Sequence, residues 1–151
     1  MTRSGSARVA SLLAALGATS VLASVLWIRA FALLFGQSTL TSTFSTLALI
    51  AGLLLGSFMA GRWATPRPVP ERVRVLARLF AALGAAIIAT SLLLPTLGPL
   101  AGASAWYVAS PDGVFTLSVS ALVAQAAIAA LVFVLPAALF GGVTALLTRA
   151  P

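Results

Sequence analysis

The chain has 151 residues, of which 61% are hydrophobic and only 7% are charged, and its formal net charge is +7. Soluble domains carry about 25% charged residues, so a chain this apolar lacks the polar groups needed to cover its surface in water. It has no cysteine, no histidine and only two acidic residues, Glu71 and Asp112. We therefore expect no catalytic residues, no metal site, no cofactor and no enzymatic activity.

The first predicted membrane span covers residues 9–35. Its start resembles a signal peptide, because Arg3 and Arg8 precede an apolar run that reaches Ala23. The apolar run continues beyond Ala23 as far as Leu34. The whole run is longer than the apolar core of a signal peptide, which favours an uncleaved span over a cleaved signal.

Arg29 is the one charged residue inside this first span. It lies about 30 Å along the helix from Val9 at 1.5 Å per residue, near the far boundary of the bilayer. One interpretation is that its side chain extends to the outer headgroups beside Trp27. The other is an inward-facing arginine that pairs with Asp112 or holds the turn at Gln37.

The second predicted span covers residues 40–63 and carries a G-x-x-x-G pattern at Gly52 and Gly56, extended by Ala60 and Gly61. Small residues at this spacing allow helix backbones to approach closely in a membrane. The pattern favours tight packing within the chain, with an oligomer interface as the alternative.

The third and fourth predicted spans cover residues 73–97 and 115–148, with a loop at 64–72 and an outer loop at 98–114. The fourth would be about 51 Å long as one helix, against a bilayer core of about 30 Å. We expect it to be kinked near Pro136. Gln125 within it is predicted to donate an interhelical hydrogen bond, or alternatively to contact a substrate.

Aromatic side chains at span ends are predicted to anchor the protein in the headgroup layers. The residues concerned are Trp27, Trp63, Trp106 and Tyr107.

The arginines indicate the topology. Apart from Arg29, they lie at the N-terminus, at the C-terminus, or in and beside the loop 64–72. Short cytoplasmic loops collect Arg and Lys, so we expect an all-α integral membrane protein of four helices with both termini in the cytoplasm. The predicted location is a bacterial-type inner membrane. Because topology accounts for the positive net charge, we do not expect nucleic acid as a partner.

Several segments resemble the membrane region of fused spermidine synthase-like proteins, in which a multi-span part precedes a soluble aminopropyltransferase-like domain. The segments are Leu26–Arg29, Leu34–Thr39, Ala51–Ser57, Ala60–Arg62, Leu135–Pro136, Phe140–Thr144 and Leu147–Arg149. The soluble domain has no counterpart in these 151 residues, so the resemblance implies a four-helix membrane module without aminopropyl transfer.

These observations favour a non-enzymatic membrane module, either an accessory or structural subunit of a larger membrane complex or a membrane anchor. Besides the lipid bilayer, its expected partners are other membrane subunits or copies of itself. The alternative is a small transporter or permease unit acting as an oligomer, with Arg29, Gln37 and Gln125 along its path. That alternative has few ionisable residues with which to couple or select a substrate.

Overall fold

The computed structural model describes residues 3–36, 39–64, 69–99, 107–109, 113 and 115–148. These residues form four long helices and one short antiparallel strand pair. In chain order the elements are α1 (Arg3–Phe35), α2 (Thr39–Ala64), α3 (Val69–Thr96), β1 (Tyr107–Ala109), β2 (Phe115–Leu117) and α4 (Val119–Thr148).

Each helix is long and apolar enough to cross a bilayer. The candidate spans are Ala10–Phe35, Thr39–Arg62, Val73–Thr96 and Val119–Thr148. Each exceeds the roughly 20 residues that a hydrocarbon core requires. The predicted fold class, a helical membrane protein with four spans, is confirmed.

Local chemistry explains where two helices end. After Phe35, Gly36 has a φ of 89°, the left-handed conformation that commonly terminates helices and that glycine adopts without a Cβ penalty. At the end of α3, the Leu97 amide donates to the Leu94 carbonyl at 3.2 Å, a tightened last turn just after Pro95.

The Ser/Thr-rich start of α2 is accommodated within the helix itself. The hydroxyls of Thr43, Ser45 and Thr46 each donate to the carbonyl four residues earlier, at 2.7, 2.9 and 2.8 Å. Such bonds satisfy hydroxyl groups where lipid offers no partner, so this polar stretch is compatible with a membrane span.

Two parts of the predicted boundaries need correction. The fourth helix begins at Val119 and not at residue 115, because Phe115–Leu117 pairs with Tyr107–Ala109 as a strand. The third helix begins at Val69, inside the predicted loop 64–72. Pro136 lies within an uninterrupted α4 of 30 residues, which is about 45 Å at 1.5 Å per residue. The kink there stays a prediction.

The helices alternate in direction through the bundle. α2 and α4 run the same way, because Thr41 meets Gln125 and Ser57 meets Gly141, both pairs 84 residues apart. α1 runs with α3 and against α4. Along α1, Leu16 and then Trp27 meet Leu83 and then Ser91 of α3, so these two helices are parallel. The same two residues meet Phe140 and then Phe133 of α4, so α1 and α4 are antiparallel.

α4 lies at the centre of this arrangement. It has its largest interface with α2, a smaller one with α3 and a limited one with α1. The alternating directions place the ends of α2 and α4 on the same side as the starts of α1 and α3. Which side of a cell membrane this is stays a prediction.

Candidate functional site: the α2–α4 interface

The small residues of α2 form a close backbone contact with α4. A Cβ built on Gly52 would lie 2.6 Å from the Val134 carbonyl oxygen and 2.7 Å from the Ala137 Cβ. A Cβ on Gly56 would overlap the Ala138 carbonyl oxygen and lie 2.5 Å from its carbon. Only glycine fits at either position, because the groups it meets are largely backbone. The G-x-x-x-G pattern thus faces a helix of the same chain.

α4 contributes a matching set of small residues that the sequence analysis did not assign to this contact. A Cβ on Gly141 would overlap the Leu53 carbonyl oxygen, whereas one on Gly142 would lie 3.6 Å from the Gly56 oxygen, an ordinary contact. We call Gly52, Gly56, Ala138 and Gly141 the glycine seam. The adjacent pair Gly141-Gly142, after a buried Pro136, was the available sequence signal.

A hydrogen bond fixes the register of the seam. The Ser57 hydroxyl, directly after Gly56, donates to the Gly141 carbonyl at 3.2 Å, three residues after Ala138 on α4. Of the other small residues predicted to pack, Ala60 lies on the side of α2 near Gly142 and Gly61 is half-buried. Close backbone approach and interhelical hydrogen bonds are the interactions that hold helices together in lipid.

A buried polar cluster lies toward the other end of the same interface. Gln125 is 1% exposed, and its Oε1 accepts a long bond of 3.4 Å from the Thr41 hydroxyl. Ser45, fully buried beside them, donates to the Thr41 carbonyl. The predicted interhelical bond at Gln125 is therefore present, with the amide oxygen as its acceptor. The Gln125 Nε2 atom is buried and has no hydrogen-bond partner within the described chain.

Trp27 belongs to the core and not to a headgroup layer, which corrects its predicted role as an anchor. Its side chain is 4% exposed, its ring centroid lies 6.4 Å from that of Phe133, and its indole Nε1 donates to the Ser91 hydroxyl at 3.4 Å. Phe31 packs edge-on against the same Phe133 at 5.4 Å. These rings join α1, α3 and α4 at one level of the bundle.

The remaining predicted polar and aromatic residues are not brought into one site. Arg29 is exposed on α1. Gln37, Trp106 and Asp112 lie outside the described residues, as do the side chains of Trp63 and Tyr107. Pairing of Arg29 with Asp112 therefore stays a prediction.

Every ionisable side chain that the structure describes is exposed. These side chains are Arg29, Arg62, Glu71, Arg74 and Arg78. Within the described ranges there is also no group of three or more side chains of the types that bind metals. The described interior of the bundle thus holds hydroxyls, one amide, the indole N–H of Trp27 and apolar groups.

No protein-family model, curated protein or solved structure matches this chain. The likeness to the membrane region of fused spermidine synthase-like proteins therefore stays a prediction. The function proposed below is inferred from the packing of the chain itself.

Proposed function

We propose that this chain is a non-enzymatic accessory or structural subunit, or an anchor, of a larger membrane complex in a bacterial-type inner membrane, with both termini in the cytoplasm. The observation that carries the proposal is the interior of the bundle. It combines a glycine seam in backbone contact with a described core free of ionisable groups. Such a core suits fixed packing and offers little for proton coupling or ion selection.

The uncovered helices support assembly with other membrane chains. In the most apolar window of α1, and likewise of α3, only 11% of the residues are buried by the rest of the chain. Lipid satisfies such surfaces, but they also leave room for neighbouring helices, which pack by shape and hydrogen bonds in a membrane. Conspicuous examples on α1 are Leu22 and Leu26, each 65% exposed.

The alternative, a small transporter acting as an oligomer, is favoured by one observation. The Gln125 Nε2 atom is buried and has no hydrogen-bond partner among the described residues, so its two N–H groups are not committed to another helix. Against it, Gln125 lies inside the α2–α4 interface while Arg29 is on the surface, so the two do not line a common path in one copy.

Site-specific photo-crosslinking in intact membranes tests the proposal. A photoreactive residue would replace Leu26 on α1, Leu92 on α3 or Leu131 on α4, which are 65%, 69% and 76% exposed. We expect one or two of these positions to capture a single different membrane protein and the others to capture lipid. Buried Leu16, 8% exposed, serves as the matched control and should give only products within the chain.

Mass spectrometry of the captured species decides between the two functions. Capture of one partner in constant proportion, with the same partner retained on purification in mild detergent, supports the accessory subunit. Capture of the chain itself from all three surfaces, together with solute uptake by vesicles containing only this protein, would overturn it in favour of the transporter.

A further inference from the structure

A groove opens between α2 and α3 at the arginine-rich end of the bundle. Its volume is about 570 Å³, it is open on one side, and α4 forms its floor because α2 and α3 are held apart there. Its lining is apolar apart from one residue, and includes Met59, Val75, Leu79, Ala82 and Gly142. A cavity of about 150 Å³ accepts benzene, so this groove has room for a considerably larger hydrocarbon.

Arg78 is the charged residue at the groove. It also lines a smaller neighbouring cavity of about 280 Å³ together with Glu71, Arg74 and Val75. Arg78 lies five residues after Val73, where the candidate span begins, or about 8 Å along the helix axis. An arginine at this depth extends its guanidinium toward the headgroup layer while its stem stays beside the apolar groove.

The charges around this opening have a positive surplus. Arg74 and Arg78 are one helical turn apart, where like charges repel, and Glu71 is the acidic side chain that the described part of the chain places beside them. Glu71 is three residues before Arg74 and so neighbours it on the helix, whereas Arg78 is the one of the three that lines the groove itself. A phosphate there would relieve the repulsion, and the planar guanidinium matches phosphate oxygens two at a time.

We propose that this groove is a binding site for one anionic phospholipid, with an acyl chain between α2 and α3 and the phosphate on Arg78, assisted by Arg74. The apolar volume and the arginine at its mouth match the two halves of such a molecule. A zwitterionic lipid fits the volume equally well but brings no net negative charge. A free phosphate matches the arginines but leaves the groove unfilled.

The site can be tested on the purified full chain in detergent by native mass spectrometry. The probes are dioleoyl phosphatidylglycerol and dioleoyl phosphatidylcholine, which have the same acyl chains. We expect one phosphatidylglycerol per chain, bound about fivefold or more tightly than phosphatidylcholine, because one juxtamembrane arginine contributes about that factor. Glycerol 3-phosphate, which lacks acyl chains, should not displace it at equal concentration.

Two matched pairs of variants locate the site. Arg78→Gln should abolish the preference for phosphatidylglycerol, whereas Arg62→Gln, exposed on α2 outside this groove, should retain it. Ala82→Phe should fill the groove and lower the affinity for both lipids by tenfold or more, whereas Ala81→Phe, on an exposed neighbouring position, should leave it unchanged. Elution volume in detergent checks the folding of each variant.

The proposal is overturned if Arg62→Gln lowers the preference as much as Arg78→Gln, because the attraction would then belong to the basic surface in general. It is equally overturned if a folded Ala82→Phe protein binds both lipids as the parent does, or if glycerol 3-phosphate competes fully. Should Ala82→Phe fail to fold, the arginine pair decides the outcome alone.

Discussion

Single side chains in the bundle interior differ in how well their hydrogen-bonding groups are satisfied. The hydroxyls of Thr43 and Thr46 have short bonds within their own helix, whereas Gln125 has one long bond and an amide nitrogen without a partner in the described residues. An unsatisfied buried polar group costs about 1–3 kcal/mol, while interhelical hydrogen bonds in membranes average about 0.6 kcal/mol. By these magnitudes, the weak bond to Thr41 does not offset the cost of burying an amide nitrogen that has no partner.

Replacing Gln125 by methionine, which has a similar shape, should leave the free energy of unfolding unchanged or raise it by about 1 kcal/mol. The reason is that the weak bond to Thr41 is lost together with the unpaired amide. The measurement is helix content by circular dichroism during unfolding in mixed micelles. A loss of stability above about 1 kcal/mol would show that the amide nitrogen has a partner, such as a bound water or ligand.

Truncating Trp27 should be costly, because its ring contacts Phe133 and its indole bonds to Ser91. We expect Trp27→Ala to lower the free energy of unfolding by about 3 kcal/mol, and Trp27→Phe by about 1 kcal/mol. Leu26→Ala is the control on the neighbouring exposed residue and should change it by less than about 0.5 kcal/mol. Equal effects at residues 26 and 27 would contradict the assignment of Trp27 to the core.

Whole helices were more predictable than the faces they use. Long apolar runs require helices in lipid, and their ends coincide with signals such as Gly36 and Pro95. The strand pair at Tyr107–Ala109 and Phe115–Leu117 was missed because its second strand continues directly into the apolar run of α4. Hydropathy alone does not mark that change.

The glycine seam was also only partly predictable from the sequence. The spacing of Gly52 and Gly56 predicts a close contact but does not say which helix supplies the other side. Gly141 lies against the Leu53 backbone, and nothing in the spacing of Gly141 and Gly142 predicts that contact. Trp27 was misplaced for a related reason, since a position near a span end does not determine whether a ring faces headgroups or neighbouring helices.

The seam makes a sharp prediction for glycine substitutions. Gly56→Ala should lower the free energy of unfolding by about 1–3 kcal/mol, because the new Cβ meets the Ala138 backbone and forces α2 away from α4. Gly84→Ala is the matched control on α3, where a Cβ meets nothing within 4 Å, and should raise stability by about 0.5–1 kcal/mol. Unfolding in mixed micelles measures both, and a neutral Gly56→Ala would contradict the contact.

At the scale of the molecule, stability is unevenly distributed. α2 and α4 form an extensive backbone-to-backbone pair, whereas α1 and α3 are attached mainly through side chains and remain largely uncovered. α1 in particular depends on the ring cluster around Phe133. Thinly attached outer helices would be the first to separate from the bundle on partial unfolding.

The predicted orientation in the membrane can be tested directly, because the chain has no cysteine. Single substitutions Thr65→Cys and Ser110→Cys place a thiol in each of the two predicted loops. We expect a membrane-impermeant maleimide to label Ser110→Cys in intact cells and Thr65→Cys only after the membrane is opened, because the arginine-rich loop is predicted to be cytoplasmic. The reverse pattern would invert the proposed topology.

The pairing of α2 with α4 has a consequence for how the protein is made. A ribosome releases α2 well before α4, and Ser57 and Gly141 are 84 residues apart, so α2 enters the membrane with its glycine face uncovered. Until translation of α4 is complete, that face depends on lipid, on the insertion machinery or on a chaperone. A nascent chain that stalls before residue 119 would therefore resemble an orphan subunit, and membrane proteases would be expected to remove it.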